Sequence, residues 1–246
     1  MPERQFLAVL MPVALFACLA QPSLAQDESS RPFSTLGVGI KVSLLGAGAE
    51  AATPLTRRSN LRVGVNGFAY DRSFHKDGVS YAARLGFRSA EVHYDWFPSG
   101  GGFHLSPGAL VYNGNEVKAN ASVPGGQTFT LNGTTYSSDP ATPVTGRGKI
   151  SFNTAGPMFT LGWGNLVPRR HRFSVPFEIG AIYTGAPQTV LGLTGKACDS
   201  TGANCRSISS DAAIQSNVAA EKNKLDKDMA SFKFYPVISL GFGFKF

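Results

Sequence analysis

Beyond residue 20 this sequence has no long apolar run, so it offers no helix able to cross a bilayer, which takes about 20 apolar residues. Charge is also scarce. Asp, Glu, Lys and Arg make up 16% of the 246 residues, against roughly 25% in an average soluble domain. A charge-coated soluble globule is therefore a poor fit. Cysteine occurs only as Cys18, Cys198 and Cys205, too few for a zinc module or a disulfide-built scaffold. The histidines, His75, His93, His104 and His171, show no metal-ligand spacing, and there is no glycine-rich phosphate loop. No metal, cofactor or catalytic residue is expected.

Basic residues outnumber acidic ones, giving a formal net charge of +7. They do not form a stripe. The densest groups are Arg57 with Arg58, and Arg169, Arg170, His171 and Arg172, each at a turn. Solvated or phospholipid-facing turns explain them better than a nucleic-acid site, so no nucleic-acid partner is expected.

Glycine (28 residues) and phenylalanine (18) are abundant. Phe, Gly, Thr and Val at the expense of Glu and Lys suit strands, turns and a large apolar surface. Residues 1–25 have the form of a signal peptide: Arg4, an apolar stretch over 6–20, then Ser23-Leu24-Ala25 before Gln26. A lipoprotein box at Leu15-Phe16-Ala17-Cys18 is the competing reading, and Phe16 suits it badly. The remainder, 26–246, reads as one domain. An exported chain without apolar helices is either soluble in the periplasm or crosses the outer membrane as a closed barrel.

The end of the chain favours the barrel. Phe232, Phe234, Pro236, Ile238, Leu240, Phe242, Phe244 and Phe246 share one face of a strand, while Ser239, Gly241 and Gly243 share the other. Apolar outside and small or polar inside is the pattern of a lipid-facing barrel strand. Ser239, Gly241, Phe244 and Phe246 resemble the C-terminal signal by which the barrel-assembly machinery takes up such chains.

The same alternation recurs. Strands are expected at 35–43, 46–55, 61–70, 79–97, 103–111, 150–163 and 173–183, before the final one. The parity of 79–97 changes near Ser89, which suggests a bulge. Short connections fall at 56–60, 98–102 and 165–170, and long ones at 113–149 and 185–231. Short turns belong in the periplasm and long loops outside. The expected fold is all-β: a transmembrane, antiparallel, up-and-down β-barrel of eight strands, with a short helix before the last strand. Extra strands at 127–136 or 189–193 would change the count.

Eight strands leave a narrow lumen that side chains fill. Arg62, Arg84, Arg88, Glu91, Asp95, Arg172 and Glu178 are the expected inward charges, and buried charges of both signs should pair. A narrow charged channel is the functional alternative. In the outer loops Cys198 and Cys205 suit a local disulfide. A helix is expected over 211–229, capped by Ser209 or Ser210, with Ile214, Val218, Leu225 and Met229 on one side. The loop over 113–149 reads as an external, hairpin-like segment.

A lipid-modifying barrel enzyme would need a Ser, a His and an acid in contact. His104 and Ser106 have suitable spacing, but strand parity turns both into the lumen, away from lipid. Asp71, Ser73 and His75 form a loose polar set in an outer loop.

Several runs resemble a family of uncharacterised proteobacterial small outer-membrane β-barrel proteins. They are Asn-Leu-Arg-Val-Gly-Val-Asn-Gly-Phe over 60–68, Asp95-Trp-Phe-Pro, Gly114-Asn-Glu-Val, Leu131-Asn-Gly-Thr-Thr-Tyr, Gly162-Trp-Gly-Asn and Phe234 through Phe246. The resemblance implies fold and location and carries no catalytic residue. The overall expectation is a monomeric outer-membrane barrel, structural or interacting through its outer loops, with outer-membrane lipid and lipopolysaccharide around it. A narrow porin-like channel and a lipid-modifying enzyme are the alternatives.

Overall fold

The computed structural model describes residues 32–76 and 78–246. The signal expected at 1–25 lies outside them. From the N-terminal side the strands are β1 (Gly37–Ser43), β2 (Gly46–Thr56), β3 (Ser59–Lys76), β4 (Val79–Trp96), β5 (Phe103–Asn113), β6 (Glu116–Val123), β7 (Thr128–Leu131), β8 (Thr134–Ser138), β9 (Val144–Ser151), β10 (Gly156–Trp163), β11 (Phe173–Ser174), β12 (Phe177–Tyr183), β13 (Gln188–Thr194), β14 (Lys196–Cys198) and β15 (Arg206–Ser207). Helix α1 (Ala212–Met229) and β16 (Phe234–Lys245) follow.

Strands β1, β2, β3, β4, β5, β10, β12 and β16 form a closed antiparallel barrel. Closure comes from β16 pairing with β1, Gly37 opposite Lys245 through Ser43 opposite Ser239. The first hairpin, β1–β2, turns at Leu44 and Leu45. The connection from β5 to β10 carries β6 to β9, and the one from β12 to β16 carries β13 to β15 and α1. These long connections share one end, which is extracellular if the short turns are periplasmic.

Outside, the barrel is apolar. Ile40, Val42, Val63, Val65, Phe159, Leu161, Phe177, Ile179, Ile238, Leu240 and Phe242 are all exposed. Trp96 and Trp163 sit near the periplasmic rim, as the aromatic girdle of a barrel in lipid requires.

Above the barrel, β3 and β4 continue beyond their neighbours. The first half of β4 pairs with β6, β6 with β9 and β9 with β13. A second sheet of β15, β14, β8 and β7 lies beside this extension. Between them Val79, Val123, Leu131, Val144, Ala197 and Ile208 form a core, closed by Ile214 and Val218 of α1. The external loops therefore build a folded head. The helix is capped by Asp211, whose carboxylate accepts from the N–H groups of Ala213 and Ile214 at 3.0 Å, and not by Ser209 or Ser210.

The expected bulge near Ser89 has a different origin. The register of β4 against β3 runs unbroken from Ser59 opposite Trp96 to Lys76 opposite Val79. What changes is the surroundings. Tyr81, which packs against the core of the head, shares a face of β4 with Leu85 and Phe87, and the same face lower down carries Glu91, His93 and Asp95 into the lumen. The opposite face passes from water at Arg84 to lipid at Val92. Exchanging solvent for membrane inverts the hydrophobic pattern without any slip in the strand. The register shift that β4 does show is in its pairing with β5, between Ala90 and Glu91. The expected strand over 150–163 is also two strands, β9 ending at Ser151 and β10 starting at Gly156.

Candidate functional site

The lumen is filled in three layers. In the middle lies a charge network centred on Arg62. Its guanidinium donates to both oxygens of Asp95, from Nε to Oδ2 at 2.9 Å and from Nη2 to Oδ1 at 3.0 Å. Nη1 reaches Glu50 Oε2 at 3.1 Å and Glu178 Oε2 at 3.2 Å, and Nη2 also pairs with Glu178. Lys41 bridges Glu91 and Glu50, the latter at 3.4 Å. His104 Nε2 lies 3.0 Å from Glu178 Oε1, and Ser106 Oγ donates to Asp95 at 2.7 Å. Asn66 donates to Glu91 at 3.3 Å. His93, fully buried, has no hydrogen-bond partner at either ring nitrogen, and its Nε2 stands 3.6 Å from Glu91.

These side chains come from β1, β2, β3, β4, β5 and β12, so the network ties most of the barrel wall together. Glycines make room for it. A Cβ at Gly64 would lie 2.9 Å from a Glu91 carboxylate oxygen, and one at Gly162 would lie 2.9 Å from Glu178 Cγ.

Apolar layers bound the network. Towards the head, Leu45, Leu110, Met158, Ile182 and Val237 form a buried plug, with Tyr235 packed against it and donating to the Leu44 carbonyl at 2.7 Å. Towards the periplasm, Leu166 and Val167 fold in against Ala52. Asn165 holds that segment, accepting from Asn60 Nδ2 and from the Val167 N–H, each at 2.8 Å.

Arg62, Glu91, Asp95 and Glu178 thus lie together inside the barrel. Arg84, Arg88 and Arg172 do not. Arg84 is on the outer face of the β3–β4 extension, 3.7 Å from Asp71 in water. Arg88 shares that outward parity at the head end of the barrel, and Arg172 is exposed in the periplasmic segment after β10. Parity along β4 puts even-numbered residues outside, and reading Arg84 and Arg88 as inward followed from the inferred bulge. Lys41 and Glu50 are network members the sequence reading passed over. Their signal was present: they are the lone charges in two strands of small and apolar residues.

In the head, Cys198 and Cys205 form a disulfide. Between them the Asp199 carboxylate accepts from the N–H groups of Thr201 at 3.0 Å and Ala203 at 2.9 Å and from Asn204 at 2.9 Å. The Thr201 hydroxyl, with these other donors, lowers the Asp199 carboxyl to about 2. At the last strand, Ser239 and Gly241 face the lumen, whereas Phe244 faces outward and contacts Phe173 and Phe246.

No protein-family model matches the sequence, and no curated protein does. Solved structures do. The chain matches CarO of Acinetobacter baumannii with a TM-score of 0.53 and 23% identity, over 87% of this chain and 97% of that one. It matches CarO2 of the same organism with a TM-score of 0.55 and 19% identity, over 88% of this chain and all (100%) of that one. The likeness is one of fold. A closed barrel with an apolar belt outside and charges within satisfies every backbone group in lipid. The chain has the fold of an outer-membrane β-barrel. Among the described residues no helix is long and apolar enough to cross a membrane.

Proposed function

We propose that this protein is a non-conducting outer-membrane barrel that acts through its extracellular head. The observation that carries this reading is the sealed lumen. An ion entering from either end meets buried aliphatic side chains, then a network in which Arg62 and Lys41 are already paired with carboxylates. A hydrophobic constriction resists hydration, and paired charges offer a permeant ion no free partner. The head supports the second half of the reading. It has its own core, a disulfide and a capped helix, more order than a tether between strands needs. The lipid-modifying alternative is disfavoured because His104 and Ser106 are engaged with Glu178 and Asp95 inside the barrel. Phe244 and Phe246 on the outer face, with Ser239 and Gly241 opposite, suit capture by the assembly machinery, and the apolar belt suits a monomer in outer-membrane lipid and lipopolysaccharide. Planar-bilayer recording of the purified protein tests the reading. Insertion without current steps is expected. Reproducible steps from the wild-type protein would replace it with the narrow porin-like channel.

A further inference from the structure

Two basic groups far apart in the sequence meet at the periplasmic end of the barrel. The turn between β2 and β3 supplies Arg57, the segment between β10 and β11 supplies Arg169, Arg170 and His171, and β16 supplies Lys245. All line one cavity of about 890 Å³. That volume falls within the roughly 300–1,000 Å³ of small-ligand sites. No Asp or Glu side chain lines it, and residues 52–60, 97–104, 163–177 and 241–246 contain none.

Among the described residues Arg57, Arg169 and Arg170 are exposed and take part in no ion pair. Lys245 has a different task. Its Nζ donates to the carbonyls of Pro168 at 2.5 Å and Arg169 at 3.3 Å, which fixes the arginine segment against the barrel wall. The cavity wall also holds buried polar groups. Asn60 is bonded to Asn165, and Ser174 is among the lining residues, with its Oγ buried away from the cavity and without a hydrogen-bond partner. Unpaired cations gathered in a concavity repel one another and focus a positive potential into it. The planar guanidinium fork matches the oxygens of a phosphate.

We propose that this cavity is a phosphate-binding site, with Arg57, Arg169 and Arg170 as its ligating cations. Two sources carry that chemistry: the headgroup of an anionic phospholipid in the periplasmic leaflet, and a soluble phosphate compound of the periplasm.

The test is calorimetric titration of the purified protein with pyrophosphate, in zwitterionic detergent at constant ionic strength. Saturable binding is expected from the wild type. The combined variant Arg57→Gln, Arg169→Gln, Arg170→Gln should bind about tenfold more weakly or worse, since hydrogen bonds between charged groups are the strong ones. These side chains are exposed, so the variant should keep the heat-dependent gel shift of a folded barrel. Arg147→Gln with Lys149→Gln, at the head end, should leave the affinity unchanged. Nanodiscs separate the sources. If phosphatidylglycerol fills the cavity, pyrophosphate binds the wild type more weakly in phosphatidylglycerol discs than in phosphatidylcholine discs; equal affinity assigns a soluble ligand. Absence of saturable binding in detergent and in phosphatidylcholine discs, or undiminished binding by the triple variant, overturns the proposal. Conductance does not enter, so the outcome is independent of the role proposed above.

Discussion

Arg62 of β3 and Asp95 of β4 meet through two parallel hydrogen bonds at the centre of the barrel, the strongest geometry such a pair can take. The same guanidinium also holds Glu50 and Glu178. Arg62→Met would remove the cation and leave three carboxylates buried together. Breaking a buried pair by deleting one partner costs about 3–5 kcal/mol. The folded band on unboiled gels should therefore be lost at a clearly lower temperature than in the wild type. An unchanged melting temperature would show that the network contributes nothing to barrel stability.

Two glycines should behave in opposite ways. At Gly162 a Cβ would overlap the Phe177 carbonyl and press on Glu178 and His104. At Gly192 in β13 nothing lies within 4 Å. Gly162→Ala should sharply reduce the folded fraction after refolding into detergent, whereas Gly192→Ala should refold like the wild type. Equal refolding yields would contradict the packing described for the lumen.

The disulfide closes a short loop in the head, between Cys198 and Cys205. Loops of this size are worth about 2 kcal/mol on the chain-entropy estimate, and the barrel wall does not depend on them. Cys198→Ser with Cys205→Ser should speed amide exchange in β14 and the loop after it while leaving the gel shift of the barrel in place. Loss of the gel shift would mean that head and barrel fold as one unit.

The Asp199 turn gives a pH dependence confined to the head. Its carboxyl is lowered from 3.8 to about 2 by the Thr201 hydroxyl and the neighbouring donors. A depressed carboxyl stabilises the fold when ionised, so its contribution is complete above the ordinary value of 3.8 and is lost as pH falls towards about 2. The Asp199 turn should protect the amides of Thr201 and Ala203 from exchange at neutral pH, and that protection should fall as pH drops through this window. Asp199→Asn should abolish the acid step.

The sequence by itself determined the barrel. Period-two alternation in β16, β10 and β12 follows from lipid on one face and a packed lumen on the other, and such a pattern survives without any knowledge of which strands touch. Loop lengths told which connections share an end of the barrel, and cysteine spacing pointed to the disulfide. The network was legible only where a charge interrupted an otherwise readable strand, as at Arg62, Asp95 and Glu178. Where a strand leaves the membrane, as β4 does above Ala90, the two faces exchange environments and parity misassigned Arg84 and Arg88. The head depended on long-range pairing of β6, β9 and β13: a strand at 189–193 was legible, but its partner was not, because the pattern of a short strand does not say which strand it pairs with. The burial of Leu45 and Leu166 at the two ends of the lumen, and the meeting of Arg57 with Arg169 and Arg170, were decided by tertiary structure alone. They depend on which turns fold back across the ends of a closed barrel, and closure is a property of the whole sheet.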